Sequence, residues 1–515
     1  MKKQLEKLKK FWKLIFGRTG ILVFLLLVQA VILFGGFALI DKSAWIVNYT
    51  IGLLAVIILI YILNARSNSS FKLMWIILIL VVPVVGVAFY IFTRVQPGTA
   101  YISHRVNALI EEEKDYLTPH KDTLYDVYAE SKQECGFMQY LYKRGKYPVY
   151  SNASVKYFPL GEDKFQELLY QLERAEKFIF LEYFIVDKGI MWNRILRILA
   201  RKAREGVEVR FMYDGTCTLS LLPRNYPKRL EQLGIQCKIF APMRPFLSTH
   251  QNNRDHRKIA VIDGRAAFTG GVNLADEYIN AEQRFGYWKD AALRVEGDAA
   301  WNFTVMFLNF WNAFRPSETD YDAFRPMPLV LPGSDGIVQP YADSPLDEEP
   351  MAETVYLNIL AQAQRYVYIY TPYLAVGEEM LDALKNAAKR GVDIRLVLPG
   401  IPDKKLVFRL SRSYYLPLLR AGVRIYEYTP GFLHAKCWVS DDVTAVVGSI
   451  NMDYRSLFLH FECGVLLQKN SQVAVLRDDV RATLPQCREI QVMECRTSLP
   501  GTVLDSVLRL LSPLM

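Results

Sequence analysis

The chain has 515 residues, of which 51% are hydrophobic, 13% aromatic and 22% charged, and its formal net charge at pH 7 is +9. A single domain rarely reaches this length, so the length predicts two or more domains. The aromatic content excludes intrinsic disorder as the main state of the chain, because it supplies ample surface for a packed core.

The first 20 residues form a basic segment with seven lysines and arginines and one glutamate. They carry a net charge of +6, which leaves only +3 for the rest of the chain. A basic cluster beside an apolar segment is typical of a cytoplasmic flank that contacts anionic lipid headgroups. The nearly neutral remainder argues against a nucleic-acid partner, since surfaces that bind nucleic acids are usually basic.

Three apolar stretches without a charged side chain come next, at 21–40, 44–63 and 73–93. A helix of about 20 residues reaches about 30 Å, which is the thickness of the hydrocarbon core of a bilayer. We therefore predict a membrane anchor with about three transmembrane helices over residues 1–93, and a multi-pass location in the cell membrane. The sequence leaves open which side of the membrane residues 94–515 face. If the first apolar segment enters the membrane without crossing it, these residues lie on the opposite side.

Residues 94–155 are polar and helix-prone, and we interpret them as a connector. Beyond them the chain repeats itself. The sequence GVEVRFMYDG at 206–215 matches GVDIRLVLPG at 391–400, and HRKIAVID at 256–263 matches HAKCWVSD at 434–441. The offset between the halves changes from 185 to 178 residues, which indicates loops of different length in a shared framework.

Within each half, β-branched or aromatic runs alternate with helical patterns. Strands are predicted at 177–186, 207–213, 366–373 and 393–398, and helices near 192–205 and 378–389. This alternation predicts two tandem α/β repeats related by a pseudo-twofold axis, with a cleft where they meet. The repeats are expected at 156–325 and 326–482, with a C-terminal tail at 483–515. In that tail, 503–511 is apolar at helical spacing, which fits either packing on the domain or contact with a membrane.

Two of the six histidines begin the same pattern, His-x-Lys-x4-Asp-x6-Gly-[Gly/Ser]-x-Asn. Its members in the first half are His256, Lys258, Asp263, Gly270, Gly271 and Asn273. Its members in the second half are His434, Lys436, Asp441, Gly448, Ser449 and Asn451. Two occurrences at matching places in a duplication indicate one paired functional site.

The spacing predicts which side chains face a ligand. On a strand, residues i and i+2 point to the same face, so each histidine and its lysine project together. The aspartate lies seven residues after the histidine, so its parity along the strand is opposite and its side chain points to the other face, at the end of the strand. This position favours a role in shaping the turn over contact with a substrate. Glycines let the backbone approach a ligand closely, and the asparagine amide supplies a neutral donor.

Two imidazoles, two ammonium groups and two amides suit a phosphodiester, because cations and donors hold its nonbridging oxygens. One neutral imidazole attacks phosphorus while the other, protonated, donates to the leaving oxygen. A metal site is disfavoured because each histidine is accompanied by a lysine. The chain also lacks a Walker-type phosphate loop, so nucleotide hydrolysis has no support. We expect no metal and no cofactor.

The doubled His-x-Lys-x4-Asp pattern resembles that of the phospholipase D superfamily. Together with the apolar N-terminus, it makes the chain similar to the bacterial cardiolipin synthases. The sequence FKLMWIILILVVPVVG at 71–86 is similar to the N-terminal membrane module of that family, and LRLLSPL at 508–514 is similar to its C-terminus. The resemblance covers the chain from about residue 44 to its end.

This resemblance implies a phosphatidyl transfer between two phosphatidylglycerol molecules that yields cardiolipin and glycerol. His256 would form a phosphatidyl-histidine, and His434 would serve as acid and then as base. By resemblance, the catalytic set is His256, Lys258, Asp263, His434, Lys436 and Asp441. The residues that would bind the phosphate are Lys258, Asn273, Lys436 and Asn451. In the superfamily a downstream carboxylate orients each histidine, and Asp290 and Glu462 match those positions.

Four other functions are alternatives. The same chemistry with water as acceptor gives a phospholipase D-type hydrolase, and with another alcohol it gives a different headgroup-exchanging phosphatidyltransferase. A superfamily nuclease is disfavoured by the apolar stretches and the low charge of the repeats. A noncatalytic membrane scaffold is disfavoured because every motif position is present in both halves. Donor lipid, acyl preference and oligomeric state stay open, and the choice of nucleophile comes from the resemblance alone.

Overall fold

The structure is a computed structural model, and the chain divides into two compact units, Met1–Ala100 with Pro245–Gln251, and Tyr101–Arg244 with Asn252–Met515. The residues that it describes are 44–65, 67–94, 105–112, 116–117, 136–242, 252–314, 320–326, 331, 334–347, 349–495 and 497–514. The predicted span at 21–40 lies outside them.

The described part of the first unit consists of helices α1 (Ala44–Asn64), α2 (Ser69–Val81) and α3 (Pro83–Arg94). Helix α1 coincides with the predicted apolar stretch at 44–63. The stretch at 73–93 differs from the prediction of one continuous helix, because Val82 leaves the helical conformation (φ −136°, ψ 69°) and α3 begins at Pro83. Proline has no N–H to continue the hydrogen bonds of α2 and fits the first position of the next helix.

The three helices pack on each other. Gly86 lets α3 approach α2, since a Cβ atom there would lie 2.7 Å from Cα of Ile79. Trp75 meets Tyr90 edge to face, with 5.1 Å between ring centroids. Among the helices of the described residues, none combines the length and the apolar character that crossing a bilayer requires. The predicted spans therefore stay predictions.

The second unit contains two mixed β-sheets, one in each repeat. The strands of the first repeat are β1 (Ala153–Phe158), β2 (Phe178–Tyr183), β3 (Glu208–Asp214), β4 (Gln236–Phe240), β5 (Lys258–Ile262), β6 (Ala266–Gly270), β7 (Tyr287–Lys289) and β8 (Ala292–Gly297). Those of the second are β9 (Ile337–Asp343), β10 (Tyr366–Tyr370), β11 (Leu374–Ala375), β12 (Asp393–Pro399), β13 (Arg424–Tyr428), β14 (Gly431–Leu433), β15 (Cys437–Ser440), β16 (Thr444–Gly448), β17 (Met452–Asp453), β18 (Glu462–Gln468) and β19 (Cys487–Glu489).

Helices cover the two sheets and connect their strands. Helix α4 (Gly136–Gly145) precedes β1 in the chain and contacts β9 of the second sheet. The helices of the first repeat are α5 (Gly161–Glu173), α6 (Ile190–Arg204), α7 (Tyr226–Glu231) and α8 (Ala300–Phe314). Those of the second are α9 (Met351–Gln362), α10 (Glu378–Lys389), α11 (Lys405–Ser413), α12 (Tyr415–Arg420), α13 (Tyr454–Phe458), α14 (Ser471–Thr483) and α15 (Leu499–Leu511). Helix α8 packs on the first sheet and also contacts β9 of the second.

Both repeats have the same strand order. The first sheet runs β1-β8-β6-β5-β2-β3-β4, and the second runs β9-β18-β16-β15-β10-β12-β13 with β19 added beside β13. In each sheet three strands are parallel, β2, β3 and β4 in the first and β10, β12 and β13 in the second. The other neighbours are antiparallel. The prediction of two tandem α/β repeats is confirmed by this shared topology.

Two edge strands extend into the segments that were predicted as connector and tail. Strand β1 begins within the expected connector at 94–155 and pairs with β8 in the first sheet. Strand β19 lies within the expected tail at 483–515 and pairs with β13. The backbone groups of these two strands complete the ladders at the edges of the sheets. The predicted boundaries themselves stay predictions.

Candidate functional site

The two histidine–lysine pairs lie at equivalent places in the two sheets. Lys258 begins β5 and is paired with Tyr183 at the end of β2, and Lys436 directly precedes β15, whose first residue pairs with the last residue of β10. Both pairs therefore lie at the carboxyl ends of parallel strands, where α/β folds usually bind ligands. His256, Lys258, His434 and Lys436 are all buried.

Each histidine is bound by a carboxylate of the other repeat. Nδ1 of His256 lies 2.8 Å from Oε1 of Glu462, and Nδ1 of His434 lies 2.7 Å from Oδ2 of Asp290. The sequence predicted that these two carboxylates orient the histidines, and it suggested a carboxylate downstream in the same repeat for each. The pairing is crossed instead, so that neither repeat holds a complete histidine–carboxylate pair by itself.

Backbone contacts reinforce the crossed arrangement. Strands β7 and β14 pair in parallel across the repeats, and the N–H of His434 donates to the carbonyl of Lys289 at 2.7 Å. Likewise, the N–H of His256 donates to the carbonyl of Phe461 at 3.0 Å. Each histidine is thus held at backbone and side chain by the segment that carries its carboxylate.

The electrostatics favour neutral imidazoles. Burial lowers the pKa of His256 well below its usual value, despite the neighbouring Glu462, and Lys258 lowers it further. Burial and Lys436 lower the pKa of His434 to about 4, against the opposing effect of Asp290. Each imidazole therefore donates Nδ1–H to its carboxylate at neutral pH and leaves the lone pair of Nε2 free.

The two carboxylates remain ionised. Burial disfavours their charge, yet His434 and Lys436 hold the pKa of Asp290 below its usual value. His256 and Lys258 do the same for Glu462 in spite of its burial. The anions therefore accept hydrogen bonds and fix the tautomer of each imidazole.

The two lysines supply cationic donors. Burial lowers the pKa of Lys258 to about 8 and that of Lys436 to about 7. Each Nζ donates one hydrogen bond to the carbonyl of the histidine two residues earlier, which leaves two donors for a ligand. The charge of Lys258 also contributes to the low pKa of His434 and of Lys436, so both motifs belong to one electrostatic site.

The two motif aspartates lie elsewhere. Asp263 accepts hydrogen bonds of 2.7 to 2.9 Å from the backbone N–H groups of 176–178, and Asp441 does the same for 364–366. Both have a positive φ, 53° and 55°, at the turn after the strand. They are separated from the lysines by the length of β5 or β15, roughly 16 Å for β5. Their place at the turns agrees with the parity argument, and the catalytic role that the resemblance implies for them stays a prediction.

The two motif asparagines differ in their surroundings. Asn273 accepts a hydrogen bond from the N–H of Ile185 at 3.0 Å and donates one to the hydroxyl of Tyr278 at 2.8 Å. The ring of Tyr278 in turn packs against His434, with 5.4 Å between centroids. Asn451 is buried, and its Oδ1 has no hydrogen-bond partner among the described residues.

Three residues lie around the carboxylates, namely Ser449, which belongs to the motif, and His460 and Trp288, which sequence reasoning missed. The hydroxyl of Ser449 donates to Oε2 of Glu462, whereas the equivalent Gly271 leaves room for Asp290, since a Cβ there would lie 2.0 Å from its Oδ1. His460 and Trp288 each stand two residues before a carboxylate and beside a catalytic-motif histidine. The matched spacing to Glu462 and Asp290 was the signal in the sequence for these two aromatic residues.

One group of side chains among the described residues has the spacing of a metal site. The donor atoms of His256, His460 and Glu462 all lie within 4.8 Å of one another. However, Oε1 of Glu462 is engaged by His256, and the ammonium group of Lys258 acts on the same carboxylate. This cationic surrounding disfavours a metal ion and suits an anion.

Comparisons with known proteins agree with this geometry. Residues 168–286 and 356–483 match the family model described as cardiolipin synthase, PLD-like domain, and 53–94 match the model described as phospholipase D-nuclease N-terminal. A cardiolipin synthase of Alkalihalophilus pseudofirmus is 33% identical over 97% of this chain and 100% of that protein. The chain belongs to the cardiolipin synthase family.

The chain is also similar to one further protein and to one solved structure. An uncharacterized protein of Streptococcus mutans is 45% identical over 88% of this chain and 99% of that protein. The crystal structure of the phosphatidylserine synthase of Haemophilus influenzae has a TM-score of 0.54 and 12% identity, and the match covers 70% of this chain and 95% of that one. At this identity the likeness concerns the fold alone.

Proposed function

We propose that the protein joins two phosphatidylglycerol molecules into cardiolipin and releases glycerol, through a phosphatidyl-histidine intermediate. As a member of the cardiolipin synthase family, it is a phosphatidyltransferase of the phospholipase D type. The observation that carries the mechanism is the crossed pairing of His256 with Glu462 and of His434 with Asp290 beside two buried lysines.

In the first half-reaction, Nε2 of His256 attacks the phosphorus of one phosphatidylglycerol, and the bond from phosphorus to the headgroup glycerol oxygen breaks. Protonated Nε2 of His434 gives its proton to that oxygen, and glycerol leaves. Glu462 stabilises the positive charge that develops on His256, because it accepts the Nδ1–H of that ring.

In the second half-reaction, the neutral Nε2 of His434 takes the proton of a headgroup hydroxyl of the second phosphatidylglycerol. The hydroxyl oxygen attacks phosphorus, the bond between phosphorus and nitrogen breaks, and His256 returns to its neutral form. The acid of the first step is thus the base of the second, as microscopic reversibility requires.

The proton on His434 is supplied when the substrate binds. In the free site, burial and Lys436 keep the pKa of His434 at about 4, so the ring is neutral near pH 7. The phosphodiester brings a negative charge into the buried site, and a nearby anion favours the protonated imidazole. Two donors on each lysine, with the amides of Asn273 and Asn451, are assigned to its nonbridging oxygens.

We assign membrane anchoring to the N-terminal segment. Helix α1 exposes a set of large apolar side chains, namely Leu53, Val56, Ile57, Ile60 and Leu63. Burying such a surface in a bilayer is favourable, whereas its exposure to water costs about 25 cal/mol for each Å². The match of 53–94 to the phospholipase D-nuclease N-terminal model is consistent with a module at this place.

The test is product analysis with the purified full-length protein and vesicles of phosphatidylglycerol as the only lipid. The proposal requires cardiolipin and glycerol in a 1:1 ratio, and it requires that His256→Ala yields neither. Phosphatidic acid as the sole lipid product would identify the hydrolase instead. Cleavage of DNA without lipid turnover would identify the nuclease.

A further inference from the structure

The site contains a third imidazole for which the mechanism above has no role. His460 is 8% exposed, and its ring centroid lies 5.3 Å from that of His256 and 6.3 Å from that of Phe184. Its Nδ1 has no hydrogen-bond partner among the described residues. The same atom lies 3.8 Å from Oε1 of Glu462, which is beyond hydrogen-bond length and within the range of an ion pair.

The other repeat carries a group without a titratable proton at the equivalent position. Trp288 stands two residues before Asp290, as His460 stands two residues before Glu462. The indole Nε1–H of Trp288 lies 3.4 Å from Oδ2 of Asp290 and donates to it. An indole is a donor at every accessible pH, whereas an imidazole gains a proton and a charge within the physiological range. The two halves of the site therefore differ at this position, because one carries a titratable ring and the other does not.

Both oxygens of Glu462 have a hydrogen-bond partner, and His460 is one of the groups that hold the pKa of this carboxyl below its usual value. Its Oε2 accepts the hydroxyl of Ser449, and its Oε1 binds Nδ1 of His256. A protonated His460 can pair only with this shared Oε1, in competition with His256. Glu462 and Lys258 both act on the charge of His256, and a further cation beside His256 opposes a positive charge on that ring.

We propose that His460 is a positioning residue that controls the nucleophile: neutral His460 leaves Glu462 to His256, and protonated His460 draws Glu462 away and stops the attack. This inference rests on the proposed function. It assigns the pH-sensitive half of the site to His256 and leaves His434, which faces Trp288, without such control. Attack by His256 then requires that both His256 and His460 are neutral.

The experiment measures kcat/KM for cardiolipin formation between pH 4.5 and 8 with the full-length enzyme in vesicles. Burial lowers the pKa of His256 well below its usual value, so in this range protonation of His460 should dominate the acid limb of the wild type, with a slope approaching 1. His460→Asn should lack this step and should lose activity only at the lower pH at which His256 gains its proton. One pH unit below the midpoint of the wild type, the wild type retains about 10% of its plateau, so the variant should retain up to about tenfold more.

Trp288→Phe is the matched control, because it changes the equivalent position of the other repeat and removes no titratable group. Its acid limb should keep the wild-type midpoint. His460→Gln serves as a second variant, and the melting temperature of each protein shows whether it is folded. An acid limb with the same midpoint in the wild type and in a folded His460 variant would overturn the inference. A wild-type enzyme that makes no cardiolipin would overturn the proposed function instead.

Discussion

Nδ1 of His256 and Oε1 of Glu462 lie 2.8 Å apart although 206 residues separate them along the chain. The relationship is reciprocal, since His434 and Asp290 form the same contact in the opposite direction between the repeats. A phosphoryl-transfer site assembled in this way requires both repeats to be folded and docked. The crossed contacts therefore make the repeats interdependent in function as well as in structure.

Replacing Glu462 by Gln should lower kcat by about 10²- to 10³-fold with a small effect on KM. The amide cannot stabilise the positive charge that develops on His256, and its N–H₂ group favours the wrong tautomer of the ring. Asp290→Asn should act in the same way through His434. Glu489→Gln is the control, because this carboxylate pairs with Arg424 away from the site and its loss should leave kcat within about twofold. Equal kcat values for Glu462→Gln and Glu489→Gln would contradict the role of the crossed pair.

The alkaline limb of the pH profile should come from the lysines. Burial lowers their pKa values to about 7 for Lys436 and about 8 for Lys258, so each is charged below that pH and loses its charge above it. Since a neutral amine holds the phosphate anion poorly, kcat/KM should fall as the pH rises through this window. Lys436→Arg keeps its charge at every accessible pH and should move the limb upward, whatever its plateau. A limb that does not move in this variant would assign it to another group.

The motif aspartates should affect stability rather than chemistry. Asp263→Ala removes the acceptor of three backbone hydrogen bonds and places alanine at a positive φ, so the free energy of unfolding should fall by about 2–4 kcal/mol. Thermal melting with product formation measured on the folded fraction separates the two effects. The kcat of that fraction should stay within about threefold of the wild type. A loss comparable to that of His256→Ala in a fully folded protein would place Asp263 in the reaction.

Gly271 and Ser449 occupy equivalent positions, yet substitution should affect them unequally. A Cβ atom at Gly271 would lie 2.0 Å from Oδ1 of Asp290, so Gly271→Ala should displace that carboxylate from His434 and lower kcat by about 10²-fold. Ser449→Ala removes only the hydroxyl that donates to Oε2 of Glu462 and should cost less than about tenfold. Equal losses in the two variants, measured as initial rates of cardiolipin formation, would contradict this account of the glycine.

Much of the architecture follows from the sequence because it repeats. The matching segments at 206–215 and 391–400 contain β3 and β12, and both sheets have the same strand order. The parity of Asp263 correctly indicated a turn, since alternation along a strand is a local property. The start of α3 at Pro83 could also be read from the sequence, because proline interrupts a helix.

The remaining features depend on contacts between distant segments. The sequence does not indicate that Glu462 approaches His256 rather than His434, since no local pattern specifies how two sheets dock. The places of β1 and β19 were missed for the same reason, as edge strands are short and their partners lie far along the chain. His460 carried a signal only in its spacing to Glu462, which has meaning once the carboxylate is known to bind a histidine.

The most direct test of the central claim is to trap the covalent intermediate. The wild-type enzyme is mixed with short-chain phosphatidylglycerol, quenched within the first turnover under mildly alkaline denaturing conditions, digested and analysed by mass spectrometry. The account predicts a phosphatidyl group on the peptide that carries His256 and its absence in His256→Asn. A phosphatidyl group on His434, or turnover to cardiolipin with neither histidine modified, would contradict it.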